Sequence, residues 1–197
     1  MTPRTMRLVL ISAAFLAGLS SVFAVILVVS GRTPAPVTAA SSVGGPFRLT
    51  DHNGRPISDE DLKGRPFLVF FGFTHCPDVC PTALFEVSEI LSKLGPDADK
   101  ARALFVTVDP ERDTVTKMKD YLSSFDPHLI GVTGEPDDVA KMLKAYRVYA
   151  KKVPTDSGYT MDHTALVYLM DKQGKFVAPF SLKRRPEEAA ADLRRYL

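Results

Sequence analysis

Pro66 to Phe73 reads PFLVFFGF, eight residues with no charge and no hydrogen-bonding side chain. The run is too short for a typical helix and rich in aromatics, which makes it a buried strand. The pattern that follows sets the architecture. Pro81 to Leu94 carries apolar residues at Leu84, Val87, Ile90, Leu91 and Leu94, the spacing of a helix that Gly95-Pro96 ends. Ala103 to Val108 (ALFVTV) is a second central strand. Asp113 or Thr114 caps a helix to about Phe125, with Val115, Met118, Tyr121 and Leu122 on one face.

The alternation continues to the end of the chain. Leu129 to Val132 is a short strand, and Glu135 to Tyr146 a helix with Val139, Met142 and Leu143 turned inward. His163 to Met170 (HTALVYLM) is a strand, Asp171-Lys-Gln-Gly174 its turn, and Phe176 to Phe180 the returning strand. Pro186 opens a last helix to Tyr196, its missing N–H harmless in the first turn. Upstream, Phe47 and Leu49 alternate with polar residues, Asp51-His-Asn-Gly54 makes a tight turn and Ile57 follows, a β-hairpin. A βαβ unit followed by ββα predicts an α/β, thioredoxin-like fold with an N-terminal β-hairpin and an insertion after the second central strand.

Ahead of this domain, Leu8 to Val29 is a run of 22 residues without charge or proline. As a helix it spans about 33 Å, the thickness of a bilayer core. A cleaved signal usually has a shorter apolar stretch, of about 7–15 residues. The expected organisation is therefore a cytoplasmic tail at 1–7, one transmembrane anchor at 8–29, a Pro/Ala/Ser/Gly-rich flexible linker at 30–45 and a folded domain at 46–197. Arg4 and Arg7 precede the apolar run and Arg32 follows it, which places the N-terminus in the cytoplasm and the domain outside it. With no Arg/Ser-rich transit segment ahead of the anchor, the expected location is a bacterial inner membrane, with the domain in the periplasm. Beyond residue 31 the chain carries 23 basic and 23 acidic residues, so the domain is neutral and offers no electrostatic footprint for nucleic acid.

Cys76 and Cys80 are the two cysteines of the chain. A bridge closing so short a loop removes little entropy from the unfolded chain, so they suggest a site rather than a staple. They lie in Gly72-Phe-Thr-His-Cys-Pro-Asp-Val-Cys-Pro-Thr82, between the first central strand and its helix, where α/β sheets expose functional groups. Cys76 stands near the helix N-terminus, whose N–H groups favour an anionic sulfur. Helical positions i and i+4 hold their Cβ atoms about 5–6 Å apart, whereas a disulfide needs about 3.5–4.5 Å. A metal spans the wider gap more easily, so the spacing favours a metal and leaves a disulfide open. A third ligand would come from the loop facing this turn, ahead of the closing hairpin. His163 stands there, in Tyr159-Thr-Met-Asp-His-Thr164, where thioredoxins usually have a proline. Two thiolates and one imidazole suit copper. Structural zinc would want a fourth ligand, for which His75 and Asp78 are the candidates.

The run Phe71-Gly-Phe-Thr-His-Cys-Pro-Asp-Val-Cys-Pro-Thr82 resembles the signature of the Sco family, also called SenC. Val106-Thr-Val-Asp-Pro-Glu-Arg-Asp-Thr114 and Asp162-His163 agree with it, and the likeness extends from about residue 46 to 197. The resemblance implies Cys76, Cys80 and His163 as copper ligands. It also implies a role in delivering copper to the dinuclear site of cytochrome c oxidase subunit II, or in reducing that site's cysteines, with another periplasmic copper chaperone as a further partner. In the reducing case Cys76 and Cys80 would be catalytic, and a further alternative is a redox sensor that signals through the membrane anchor.

Other residues have plainer readings. His52 and His128 are solvated, and Met118, Met142 and Met170 sit at core spacing. Asp78 either tunes the thiols or is an acid favoured in a helix first turn. Asp162 is a candidate acceptor for the His163 ring. Asp113 is read as a cap, and Asp109 and Arg112 as candidates to face a partner.

Overall fold

A computed structural model describes residues 15–22 and 43–197. The chain divides into two compact units, Met1–Ala40 and Ser41–Leu197. In the first, residues 15–22 are helical, and the rest of the expected anchor at 8–29, the tail at 1–7 and most of the linker lie outside the described residues. Among the described residues no helix is long and apolar enough to cross a membrane.

The second unit is built on β3 (Phe67–Gly72), the buried strand expected of the apolar run PFLVFFGF. β3 pairs in parallel with β4 (Arg102–Thr107), which pairs in parallel with β5 (Leu129–Thr133). On its other side β3 pairs antiparallel with β8 (Val167–Met170), and β8 with β9 (Phe176–Pro179). The hairpin β1 (Arg48–Asp51) and β2 (Pro56–Ser58) completes a seven-stranded sheet, β2-β1-β5-β4-β3-β8-β9. β3 must be apolar along its length because layers cover both of its faces. Phe70 points to one of them and stacks on Phe105, while Phe71 points to the other and meets Tyr146 at 5.4 Å.

Helix α1 (Val79–Leu94) lays Cys80, Ala83, Leu84, Val87, Ile90, Leu91 and Leu94 inward. The sequence places its start at Pro81, but the first turn begins at Val79. Proline is tolerated there because the first N–H groups of a helix have no partner within it. α2 (Val115–Leu122) is capped by Thr114, whose hydroxyl accepts from Lys117 N–H, and it stops short of Phe125. α3 (Pro136–Ala145) buries Val139 and Met142. α4 (Pro186–Arg194) ends before Tyr196 and is tied to the end of α1 by Arg194, which donates to the Lys93 carbonyl at 2.7 Å. The core order is β3-α1-β4, then β8-β9-α4, with α2, β5, α3 and two further strands inserted after β4. This is the thioredoxin-like arrangement with the predicted hairpin and insertion.

The closing strand differs from its sequence reading. His163 does not begin it. β6 (Ala150–Thr155) and β7 (Gly158–His163) form a separate two-stranded ribbon, and His163 is the last residue of β7. β6 is exposed along most of its length and contains Pro154, so it has none of the apolar alternation that marks a strand. At Thr164 the chain turns away: its N–H donates to the Tyr149 carbonyl at 3.0 Å, and its hydroxyl accepts from Tyr149 N–H at 3.1 Å.

Candidate metal centre

Cys76 precedes α1, and Cys80 lies in its first turn, where its side chain is fully buried. Cys80 N–H donates to Cys76 Sγ at 3.4 Å. The first sulfur thus accepts one of the N–H groups that a helix start leaves unpaired. Asp78, at the cap position, makes no side-chain cap.

His163 comes to the same point from the end of β7. Its Nε2 stands 3.8 Å from Cys80 Sγ, and the ligand atoms of Cys76, Cys80 and His163 all lie within 4.8 Å of one another. With bonds of about 2.3 Å to sulfur and about 2.1 Å to nitrogen spread about 120° apart, one ion holds two sulfurs about 4.0 Å apart and a nitrogen about 3.8 Å from each, so the Cys80–His163 separation already fits and the widest pair need close by less than about 1 Å. The imidazole is also oriented for the task. Nδ1–H donates to the Thr164 carbonyl at 3.1 Å, which leaves the Nε2 lone pair facing the sulfurs. Asp162, the acceptor expected from sequence, is exposed, and the backbone carbonyl serves instead. Phe73 and Phe70 wall the ring, Phe73 edge-on at 5.7 Å.

Among the described residues the cluster has three members. His75, considered as a fourth, has its Nδ1 3.1 Å from the Thr74 hydroxyl and 3.9 Å from an Asp113 carboxylate oxygen. The donor set is therefore two sulfurs and one nitrogen, which suits copper better than a closed structural zinc site. Burial pushes the Cys80 thiol well above its ordinary range, so without a metal the sulfur is protonated. The Tyr121 hydroxyl is buried and has no partner among the described residues, and burial likewise pushes the phenol up.

Several residues that shape the centre carry other readings in the sequence or none. Asp113 is not the cap of α2. Its carboxylate is fully buried and accepts from Thr74 N–H at 3.1 Å, the Thr74 hydroxyl at 2.6 Å and the Thr107 hydroxyl at 2.7 Å. It therefore pins the loop that leads to Cys76 onto β4. Asp109, read in the sequence with Arg112 as a candidate to face a partner, is fully buried. The two residues pair with each other, and both reach Tyr159 of β7. Gly72 leaves room for the Cys80 sulfur, a role that a glycine at the end of an apolar run does not announce.

A thioredoxin-like domain that gathers two thiols and an imidazole at the exposed end of its sheet defines a metal-binding class of that fold. More particularly, the chain belongs to the SCO1/SenC family, whose sequence profile matches residues 35–197. The SCO2-like protein of Rickettsia conorii is 36% identical over 187 residues, covering 89% of this chain and 91% of that protein. The mitochondrial SCO2 protein of Saccharomyces cerevisiae is 43% identical over 140 residues, covering 69% of this chain and 46% of the yeast protein. The chain spans about half the length of the mitochondrial relatives it matches. The solved structure of Bradyrhizobium japonicum ScoI with copper bound superposes with a TM-score of 0.77 at 67% identity, covering 79% of this chain and 99% of that one.

Proposed function

We propose that the protein is a copper metallochaperone that holds Cu(I) or Cu(II) on Cys76, Cys80 and His163 and passes it on for assembly of the dinuclear copper site of cytochrome c oxidase, in subunit II. The observation that carries this reading is the meeting of three soft or borderline ligand atoms, 83 residues apart in sequence between Cys80 and His163. The copper-bound relative at 67% identity supports the choice of metal. Three protein ligands leave a coordination position open, through which an acceptor's ligand can enter before the donor's bonds break. Residues 8–29 would anchor the protein in a bacterial inner membrane, with the domain on the periplasmic side. There it meets the acceptor, and a second copper chaperone can load it. The apolar run and the arginines before it support that placement.

The test is a Cu(II) titration of the reduced protein. Thiolate-to-copper absorption should appear at one equivalent and be lost in Cys76→Ser, in Cys80→Ser and in His163→Ala. Normal loading of any one variant refutes the trio.

A second reading rests on the contrast between the half-buried Cys76 and the fully buried Cys80. The Cys76 thiolate would attack a disulfide of the acceptor, forming a mixed disulfide and releasing one acceptor thiolate. Cys80 would then displace the second, leaving a Cys76–Cys80 disulfide here and a reduced acceptor. Such a reductase tolerates His163→Ala, and a copper chaperone does not.

A further inference from the structure

His163 stands at the base of a ribbon that few contacts hold beyond that base; one of them, the ion pair of Lys152 with Glu111, is exposed on both sides, and such pairs contribute little. A two-stranded hairpin is at best marginally stable alone, and β6 buries almost nothing. The base is joined at Tyr149 and Thr164, so without a second tie the ribbon can pivot about the end that carries His163. Tyr159, Met161 and His163 alternate onto one face of β7. Met161 packs on the core, and His163 faces the thiols. Tyr159, near the tip, is met by Arg112.

That meeting is closely built. The Arg112 guanidinium lies 3.8 Å from the centre of the Tyr159 ring and donates to the Tyr159 carbonyl at 3.0 Å. Asp109, fully buried, accepts from Arg112 and also from the Tyr159 hydroxyl, the latter at 2.9 Å. Asp109 is itself fixed: its N–H donates to the Thr107 hydroxyl at 2.8 Å, at the end of β4. The same guanidinium sits 6.0 Å from the Phe73 ring that walls His163. Arg112 thus touches both the ribbon and the aromatic wall, from a segment rooted in the central sheet.

We propose that Arg112, held by Asp109, is a positioning residue for the metal centre: by clamping Tyr159 it fixes the tilt of the β6–β7 ribbon and so the place of His163 over Cys76 and Cys80. The inference deepens the copper reading and rests on it for its consequence, though the clamp itself can be tested without metal. It uses the properties that set arginine apart from lysine, a flat face for stacking and a fork for two acceptors.

The experiment uses the full chain carrying Arg112→Met or Tyr159→Phe. The second variant keeps the ring and the Arg112–Asp109 pair and removes one hydroxyl, so the answer does not hang on how well Arg112→Met folds. In metal-free protein, amide hydrogen exchange across 150–163 should quicken, about tenfold for Arg112→Met and less for Tyr159→Phe, while β3 and α1 keep their rates. Cu(II) affinity should fall about 10–100-fold in Arg112→Met, the usual effect of losing a group that orients a ligand. The Cu(II) absorption spectrum should move toward that of His163→Ala. In a His163→Ala background, Arg112→Met should change affinity less than about threefold, because its effect runs through a ligand already gone. Unchanged ribbon exchange in both variants, or an equal loss of affinity with and without His163, overturns the proposal. If His163→Ala binds copper as tightly as the unaltered chain, the copper trio fails, while ribbon exchange still decides whether Arg112 seats the ribbon.

Discussion

Gly72 and Cys80 compete for one space: a Cβ on Gly72 would lie 2.7 Å from Cys80 Sγ and 2.7 Å from Cε2 of Phe105. The end of β3 is therefore glycine so that the second thiol can drop against the strand, beneath the imidazole. Gly72→Ala should cost about 1–3 kcal/mol of stability through overpacking. It should also push the sulfur out of line with His163 Nε2. Each ~1.4 kcal/mol lost from the bound state is tenfold in affinity, so copper binding should weaken by about that factor. Thermal unfolding and a competitive copper titration read the two effects separately. A variant with unchanged affinity would show that the sulfur has room elsewhere.

Asp113 holds the Cys76 loop by accepting three hydrogen bonds, two of them from Thr74. Asp113→Ala strands those donors in a buried place, where each unsatisfied group costs roughly 1–3 kcal/mol. A loss of about 3 kcal/mol or more in urea unfolding is expected. Thr74→Val removes one hydroxyl and should cost about 1 kcal/mol. Asp113→Asn should fall between them, since its amide keeps one acceptor oxygen but turns donors toward donors. Equal stability of Asp113→Ala and the parent would mean that water replaces the carboxylate.

The residues that build the sheet are legible in sequence because they carry strong local signals. PFLVFFGF has no other home than a central strand, and the period of Leu84, Val87, Ile90, Leu91 and Leu94 admits one helix face. Cys76 and Cys80 are legible because chain neighbours on a strand-to-helix turn must meet. His163 is legible as a candidate, but its setting is not. Its ribbon is polar, exposed and interrupted by Pro154, so periodicity passes over it. Arg112 and Tyr159 are 47 residues apart, and no local pattern joins them. Asp113 next to Thr114 fits a helix cap equally well on paper, and only the packing of three segments decides between capping a helix and bracing a loop.

The two thiols should differ in reactivity. Cys76 is partly accessible, whereas Cys80 has no exposed surface and burial holds its thiol neutral. The thiolate is the nucleophile, so access favours Cys76 while burial keeps Cys80 in its unreactive thiol form. In reduced, metal-free protein at neutral pH, iodoacetamide should label Cys76 at least about tenfold faster, as read by peptide mass spectrometry. Copper should protect both, and denaturant should abolish the difference. Equal labelling in the folded state would mean that the first turn of α1 opens readily.

Burial of Cys80 also predicts how stability depends on pH. In the unfolded chain the thiol ionises near its ordinary value of 9.0, while in the folded domain it keeps its proton well beyond that. Above about pH 9 the unfolded state therefore binds fewer protons than the folded one, and stability falls as pH rises, by up to about 1.4 kcal/mol per unit. Below that window both states hold the proton, and the slope from this group vanishes. Tyr146, its phenol raised by burial from an ordinary 10.0, adds to the decline about one unit later. Urea midpoints of the reduced, metal-free protein between about pH 7 and pH 10.5 should show a plateau and then a fall. Cys80→Ser should remove the part that begins near pH 9 and leave the tyrosine part in place. A midpoint that stays level through pH 10 would mean that the Cys80 sulfur ionises in the folded domain as readily as in the open chain, and that its burial does not hold in solution.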